Sequence, residues 1–233
     1  GCCFADLDLK QQGVIEDFQL LFYIIQPPTP ERVKYDIFDR VNRGGTPLNK
    51  QEMRNALYRG RCTRMLDKLC CSPEFLIATG RSINKERMKD QYVVLRAMAF
   101  LMLHRGEFKD IPALQYRGDI DDFLARFMVY VNDNAPEKLI VDYENLFIRC
   151  MQISYDLLGE NGFRFSGNGI RRPINMPLFE ALSYLFSFVP EKIDYTWASR
   201  LILDIESVKE EFDDSRYFSG NIDSTTSVSF RFD

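Results

Sequence analysis

The chain has 233 residues, 45% of them hydrophobic and 27% charged, with a net charge of −4. This is an ordinary globular composition with ample material for a core, and the length suits one large domain or two small ones. No run approaches the roughly 18 consecutive apolar residues of a membrane-spanning helix, so no membrane partner is expected.

The first residues, GCCFADLDLK, have neither the basic segment nor the long apolar stretch of a signal peptide. Cys2, Cys3, Cys62, Cys70, Cys71 and Cys150 form two adjacent pairs and two singletons, unlike a secreted disulfide framework. Reduced thiols and a cytoplasmic location are expected. One histidine, His104, and the absence of a C-x-x-C spacing argue against a zinc site.

The octet FQLLFYII, Phe18–Ile25, lies between Asp17 and the Pro27–Pro28 break and reads as a buried strand. A lone strand needs partners for its backbone groups. They would come from a segment outside this chain, from a second copy in a homodimer, or from the C-terminal tail. Residues 30–41 carry Val33, Ile37, Phe38 and Val41 at helical spacing, with Pro30 suited to the first turn. Gly44 and Gly45 end that helix. Asn49 and Glu52 then form N-x-x-E, a capping-box variant that predicts a helix over 50–59. The joint reads either as a structural turn between packed helices or as a polar-ligand site, because free glycine amides beside Arg43 suit an anion. Its spacing matches neither the P-loop nor the dinucleotide fingerprint.

Short helices are expected over 63–71 and 73–78, the second capped by Ser72. A long helix over 84–104 is almost wholly apolar from Tyr92 to Leu103, which places it inside a bundle. Arg96 interrupts it and must find an acidic or carbonyl partner. It either makes a structural salt bridge or lines a polar pocket with Arg87 and Asp90. Residues 106–118 read as a loop. Helices follow over 119–132 and 136–158, with Asp119, Asp121 and Asp122 in the first turn of the former, where carboxylates favour the helix dipole. The glycine-rich stretch 159–173 holds Arg164, Arg171 and Arg172 and reads as an ordered surface loop. Helices over 177–189 and 197–212 precede a tail of low helical propensity whose alternating end suggests a strand or a mobile segment. Residues 31–100 contain 15 Lys and Arg against 8 Asp and Glu, and residues 190–233 contain 5 against 10. Such asymmetry marks either a nucleic-acid face or solvated helix surfaces. The fold class is mainly α, a multi-helix bundle with one or two short strands.

The joint FDRVNRGGTPLNKQEMRNAL resembles the pattern F-x-R-x-N-x-G-G-x-x-L-x-x-x-E-[LIM]-R-N of the GmrSD restriction-endonuclease N-terminal domain family. Phe38, Arg40, Asn42, Gly44, Gly45, Leu48, Glu52, Arg54 and Asn55 carry the likeness. RMKDQYVVLRAMAF, Arg87–Phe100, and RRPINMPLFEALSYLF, Arg171–Phe186, are similar to the family's later signatures and follow in the expected order. The resemblance implies a ParB-like α/β core followed by helices, in bacterial systems that recognise and cut foreign or modified DNA. The core's D-G-Q-Q-R motif is missing from this sequence, as is any counterpart of an H-N-H nuclease. The expectation is therefore a non-catalytic helical portion, with residues 1–60 ending the core and residues 61–233 forming the bundle. The core would lie upstream or on a second subunit, with Gly1 at an engineered boundary or a gene split. Arg40, Asn42, Arg43, Gly44, Gly45 and Arg54 are the candidate nucleotide- or phosphate-binding residues. Asn55, Arg87, Asp90 and Arg96 are candidate pocket or structural polar residues. No cofactor is expected on this chain alone, whereas the full assembly would use a nucleotide with a divalent metal, and DNA would be a partner. The alternative is a stand-alone protein-interaction module with no nucleic-acid contact, its apolar strand and acidic C-terminal third serving as docking surfaces.

Overall fold

The computed structural model describes residues 3–22, 24, 26, 33, 36–38, 40, 47–167, 170–190, 192, 194–213 and 215–232. They fall in two units, 1–45 and 46–233. In the first, helix α1 (Leu9–Glu16) is capped by Asp8, whose Oδ1 accepts from the Gln11 amide at 2.8 Å. None of its residues is buried. Val33, Asp36, Ile37, Phe38 and Arg40 are helical, in keeping with the periodicity read over 30–41.

The expected buried strand at Phe18–Ile25 is not found at its described residues. Residues 18–22, 24 and 26 have no regular secondary structure, and Phe18, Leu20, Leu21, Phe22 and Ile24 are exposed. A strand is stable only when a neighbour satisfies its N–H and C=O groups, and no strand exists among the described residues to serve as one.

The second unit is a helical bundle built from α2 (Lys50–Leu57), α3 (Arg61–Cys70), α4 (Pro73–Ala78), α5 (Lys89–His104), α6 (Ile120–Asp133), α7 (Glu137–Leu158), α8 (Met176–Phe186), α9 (Tyr195–Phe212) and α10 (Thr225–Phe232). Its centre is α5, where every residue from Val93 to Met102 is buried. A helix apolar on nearly all faces gains most from being enclosed, and α2, α3, α6, α7 and α8 all pack against it. Aromatic rings fill the spaces between helices. Phe163 and Phe179 lie 4.4 Å apart, and Phe100 and Phe123 lie 5.4 Å apart. Each fully buried phenylalanine contributes about 1.5–3 kcal/mol of transfer free energy.

The caps read from sequence position these helices. Asn49 Oδ1 accepts from the amides of Gln51 and Glu52 at 2.8 and 2.9 Å, and Glu52 Oε2 accepts from the Asn49 amide at 2.6 Å. Ser72 caps α4 and Asp119 caps α6. The tail departs from expectation, because residues 225–232 form a helix. The apparent alternation hides a helical stripe, in which Ser227, Val228, Arg231 and Phe232 are buried together. Ser224 Oγ caps its start, accepting from the Ser227 amide at 3.1 Å. No helix among the described residues is long and apolar enough to cross a membrane. Cys62, Cys70, Cys71 and Cys150 are free thiols.

Candidate functional site

Helix α2 and the turn that opens α5 face each other across a cleft of about 530 Å³. Asn49, Lys50, Gln51 and Arg54 line one wall, while Arg87, Lys89 and Tyr92 line the other. Asp121, from the first turn of α6, closes the base beside Arg54.

The opposing wall is held in an unusual backbone conformation. Arg87 and Met88 both adopt positive φ, 56° and 58°. Each non-glycine residue in this region costs about 1–2 kcal/mol, and such strain persists only where surrounding contacts impose it. Here the contacts come from the capped start of α2. Asn49 Nδ2 donates to the Arg87 carbonyl at 2.7 Å. Arg87 Nη2 donates to the Pro47 carbonyl at 2.6 Å and to Glu52 Oε2 at 3.0 Å. One asparagine thus caps α2 and also pins the turn that precedes α5. The Arg87 hydrogen bond, followed by the Asn49 amide, holds the Glu52 carboxyl below its ordinary pKa.

Arg54 is only 1% exposed. Its Nε donates to Gln51 Oε1 at 3.1 Å and its Nη1 to Asp121 Oδ1 at 2.8 Å. The guanidinium carbon lies 5.4 Å from the centre of the Tyr92 ring, within cation–π range. Lys50 pairs with the other oxygen of Asp121. Burial pushes the Asp121 carboxyl up, but the hydrogen bonds from Lys50 and Arg54 outweigh it and hold the carboxyl low. Arg54 therefore forms a fixed positive wall of the cleft, oriented by two side chains, while Lys50, Arg87 and Lys89 supply its exposed cations.

The remaining sequence candidates lie elsewhere. Asn55 faces α5 through Gln91, to which its Nδ2 donates, and accepts from Gln51 Nε2 at 2.8 Å. Asp90 is buried, accepts from the Gln91 amide at 2.8 Å, and does not line the cleft. Burial raises its pKa. Arg96 is joined to Glu180 and, at 2.7 Å, to Asp223, with Nη1 donating to Tyr92 Oη at 3.1 Å. That is the salt-bridged reading of Arg96, in a cluster that contains neither Arg87 nor Asp90. Arg40 is helical and exposed in the first unit. Asn42, Arg43, Gly44 and Gly45 lie outside the described residues.

Several lining residues escaped sequence reasoning. Tyr92 is part of an apolar run, and Asp121 reads as a helix-dipole residue. Only the fold brings Asp121 to Arg54, 67 positions away. Lys50 and Lys89 carry no local signal beyond the excess of basic residues. Among the described residues no group of three or more His, Cys, Asp or Glu is arranged to hold a metal ion. Chemically, the cleft offers four cations against the carboxylates of Glu86 and Asp121, with one aromatic face. It contains no paired acids and no nucleophile–base couple within its walls. Comparison with protein-family models, with curated proteins and with solved structures finds no match.

Proposed function

We propose that this chain is the helical, non-catalytic portion of a GmrSD-like protein of DNA-directed restriction or phage defence, and that its cleft receives a phosphate of a nucleotide or of DNA. The observation that carries this reading is the convergence of two family-like signatures on one cavity. Asn49, Gln51 and Arg54 come from the stretch that includes the first, and Arg87, Lys89 and Tyr92 come from the second. Cations beside an aromatic face suit phosphate and base together. A ParB-like core with its D-G-Q-Q-R motif, supplied upstream or by another subunit, would carry the nucleotide chemistry with a divalent metal.

The test is fluorescence anisotropy with a short DNA duplex across a salt series. Phosphate contacts make log K fall linearly with log salt. Replacing Lys50, Arg87 and Lys89 together by Gln should reduce the slope by about two to three. A wild-type chain that binds neither DNA nor ADP at any ionic strength would sink the reading. The exposed apolar run at Phe18, Leu20, Leu21, Phe22 and Ile24 favours the second reading, a protein-interaction module. That reading expects the same absence of DNA binding, together with capture of a protein partner that depends on this run.

A further inference from the structure

Described residues of the glycine-rich stretch and of α9 line a second, half-open cavity of about 590 Å³. Arg164, Arg171, Arg172 and Lys209 line it with Glu160 and Glu206. A neighbouring cavity of about 360 Å³ shares the same three arginines and adds Lys89. None of Arg164, Arg171, Arg172 and Lys209 lines the cleft of Arg54 and Arg87.

Arg164 is the decisive residue. It is only 4% exposed, yet all its hydrogen bonds go to neutral oxygens. Nε donates to the Glu160 carbonyl at 3.4 Å, and Nη2 donates to the Thr79 carbonyl at 3.2 Å and to Ser82 Oγ. Nη1 donates to the Arg172 carbonyl. The guanidinium is hydrogen-bonded, but none of these contacts neutralises its charge, which is costly in a buried position. Burial, followed by the charge of Arg171, lowers its pKa, and the charge of Glu160 offsets only part of this.

The three other cations are each paired with an acid. Arg171 Nη2 lies 3.0 Å from Glu160 Oε2, with both side chains about half exposed. Arg172 Nη1 donates to both Asp213 oxygens at 2.6 Å, and Lys209 Nζ donates to Glu206 at 2.7 Å. The exposed Arg171–Glu160 pair contributes little to stability, so an incoming anion displaces it at small cost, whereas Lys209 is buried and Arg172 and Asp213 are only about a third exposed. Gly80 admits the Arg171 guanidinium. A Cβ there would lie 2.0 Å from Arg171 Nη2, and its φ of +58° also favours glycine.

We propose that this cavity binds a phosphate dianion, either free or as a phosphomonoester, gripped by Arg171 beside the paired Arg172 and Lys209 and in front of the fixed charge of Arg164. Planar guanidinium forks match phosphate oxygens in pairs. The proposal is independent of the function assigned to the first cleft, since the two share none of the gripping residues.

The experiment is calorimetric titration of the full chain with inorganic phosphate and, separately, with AMP at low salt. Arg171→Gln is the test variant, because this half-exposed side chain can be removed without opening the core. Both titrations are made in an Arg87→Gln background, which disables the first cleft; Arg117→Gln, an exposed arginine outside these cavities, is the charge-matched control, and circular dichroism checks that every variant folds. Saturable binding in that background that falls about tenfold on adding Arg171→Gln and less than about twofold on adding Arg117→Gln supports the proposal. Equal affinity for the two probes identifies a free-phosphate site, and tighter AMP binding identifies a phosphomonoester site. No saturable binding of either probe at millimolar concentration in the Arg87→Gln background overturns it. So does binding that Arg117→Gln weakens as much as Arg171→Gln.

Discussion

Glu180 Oε2 accepts from Arg231 Nη2 at 3.1 Å, with both side chains at 0% exposure. The other oxygen accepts from Arg96 Nε, so one carboxylate joins α5, α8 and α10. Burial alone would lower the Arg96 pKa, but Glu180, then Asp223, raises it overall. Arg231 also donates to the carbonyls of Tyr217 and Ile222 at 3.0 and 2.7 Å, which ties the segment before α10 to the same centre. Breaking a buried network by removing one partner typically costs about 3–5 kcal/mol, because it strands the remaining charge. Glu180→Gln should therefore lower the unfolding free energy by that amount, read as a lower urea midpoint with an unchanged m-value. A loss below about 1 kcal/mol would show that apolar packing alone holds α10.

Gly60 and Asn132 make a second sharp demand. Asn132 Nδ2 donates to the Tyr58 carbonyl at 2.9 Å, and its Oδ1 accepts from the Cys62 amide at 2.9 Å. One side chain thereby satisfies both sides of the turn from α2 to α3. A Cβ at residue 60 would lie 2.5 Å from that Oδ1, closer than real contacts allow. Gly60→Ala should push Asn132 aside and cost about 1–3 kcal/mol, as expected for two disrupted hydrogen bonds. Thermal melts of Gly60→Ala, Asn132→Ala and the double variant check this. The double variant should be no worse than the worse single one, and additive losses would refute the shared mechanism.

These cases show what was legible in the sequence. Local signals were. The Asn49–Glu52 box, the Ser72 cap, the proline at residue 73 and the apolar run of α5 each specify a structure through neighbours three or four residues away. The need of Arg96 for an acidic or carbonyl partner also followed from burial. Its partner did not, because Glu180 lies 84 positions on and carries no mark that separates it from other helical acids. The tail misled for a related reason. Thr and Phe are enriched in strands and only middling in helices, but the helix buries Val228, Arg231 and Phe232 together, and tertiary packing overrides propensity. The octet at Phe18–Ile25 has strand composition, but composition cannot supply the ladder that a strand requires. At the candidate cleft, Arg54 and Arg87 were read from the chain, whereas Asp121 and Tyr92 emerged only from packing.

Asp90 gives a stability effect with a definite sign. Desolvation is the main cause of its raised pKa, and the Gln91 amide offsets only part of it. A carboxyl whose folded pKa exceeds its unfolded value of about 3.9 favours the native state below that value. The advantage is lost as pH rises through the folded pKa. At pH 7 the ionised group is therefore a burden. Asp90→Asn keeps an oxygen for the Gln91 amide and should raise the melting temperature at pH 7. The gain should vanish by about pH 3, below the unfolded pKa. A variant less stable than wild type at pH 7 would show that the charge of Asp90 is needed.

Asp121 should behave in the opposite sense, and its behaviour tests whether Arg54 is a fixed wall of the cleft. Its pKa is lowered, because hydrogen bonds from Lys50 and Arg54 overcome the cost of burial. Such a group stabilises the fold above its unfolded pKa of about 3.9, and the contribution is lost as pH falls through the folded value. Asp121→Asn should cost about 1.5–3 kcal/mol at pH 7, the range for hydrogen bonds to charged groups. The gap to wild type should narrow steadily below about pH 4 as the wild-type carboxyl takes up its proton. Urea midpoints of both proteins at pH 7 and pH 3 measure it. Because Asp121 orients Arg54 rather than facing the cleft opening alone, the variant should also weaken any anion bound beside Lys50 and Arg87. A pH-independent gap would mean that Asp121 acts through shape rather than charge, and Arg54 would then need no counter-ion to hold its place against Tyr92.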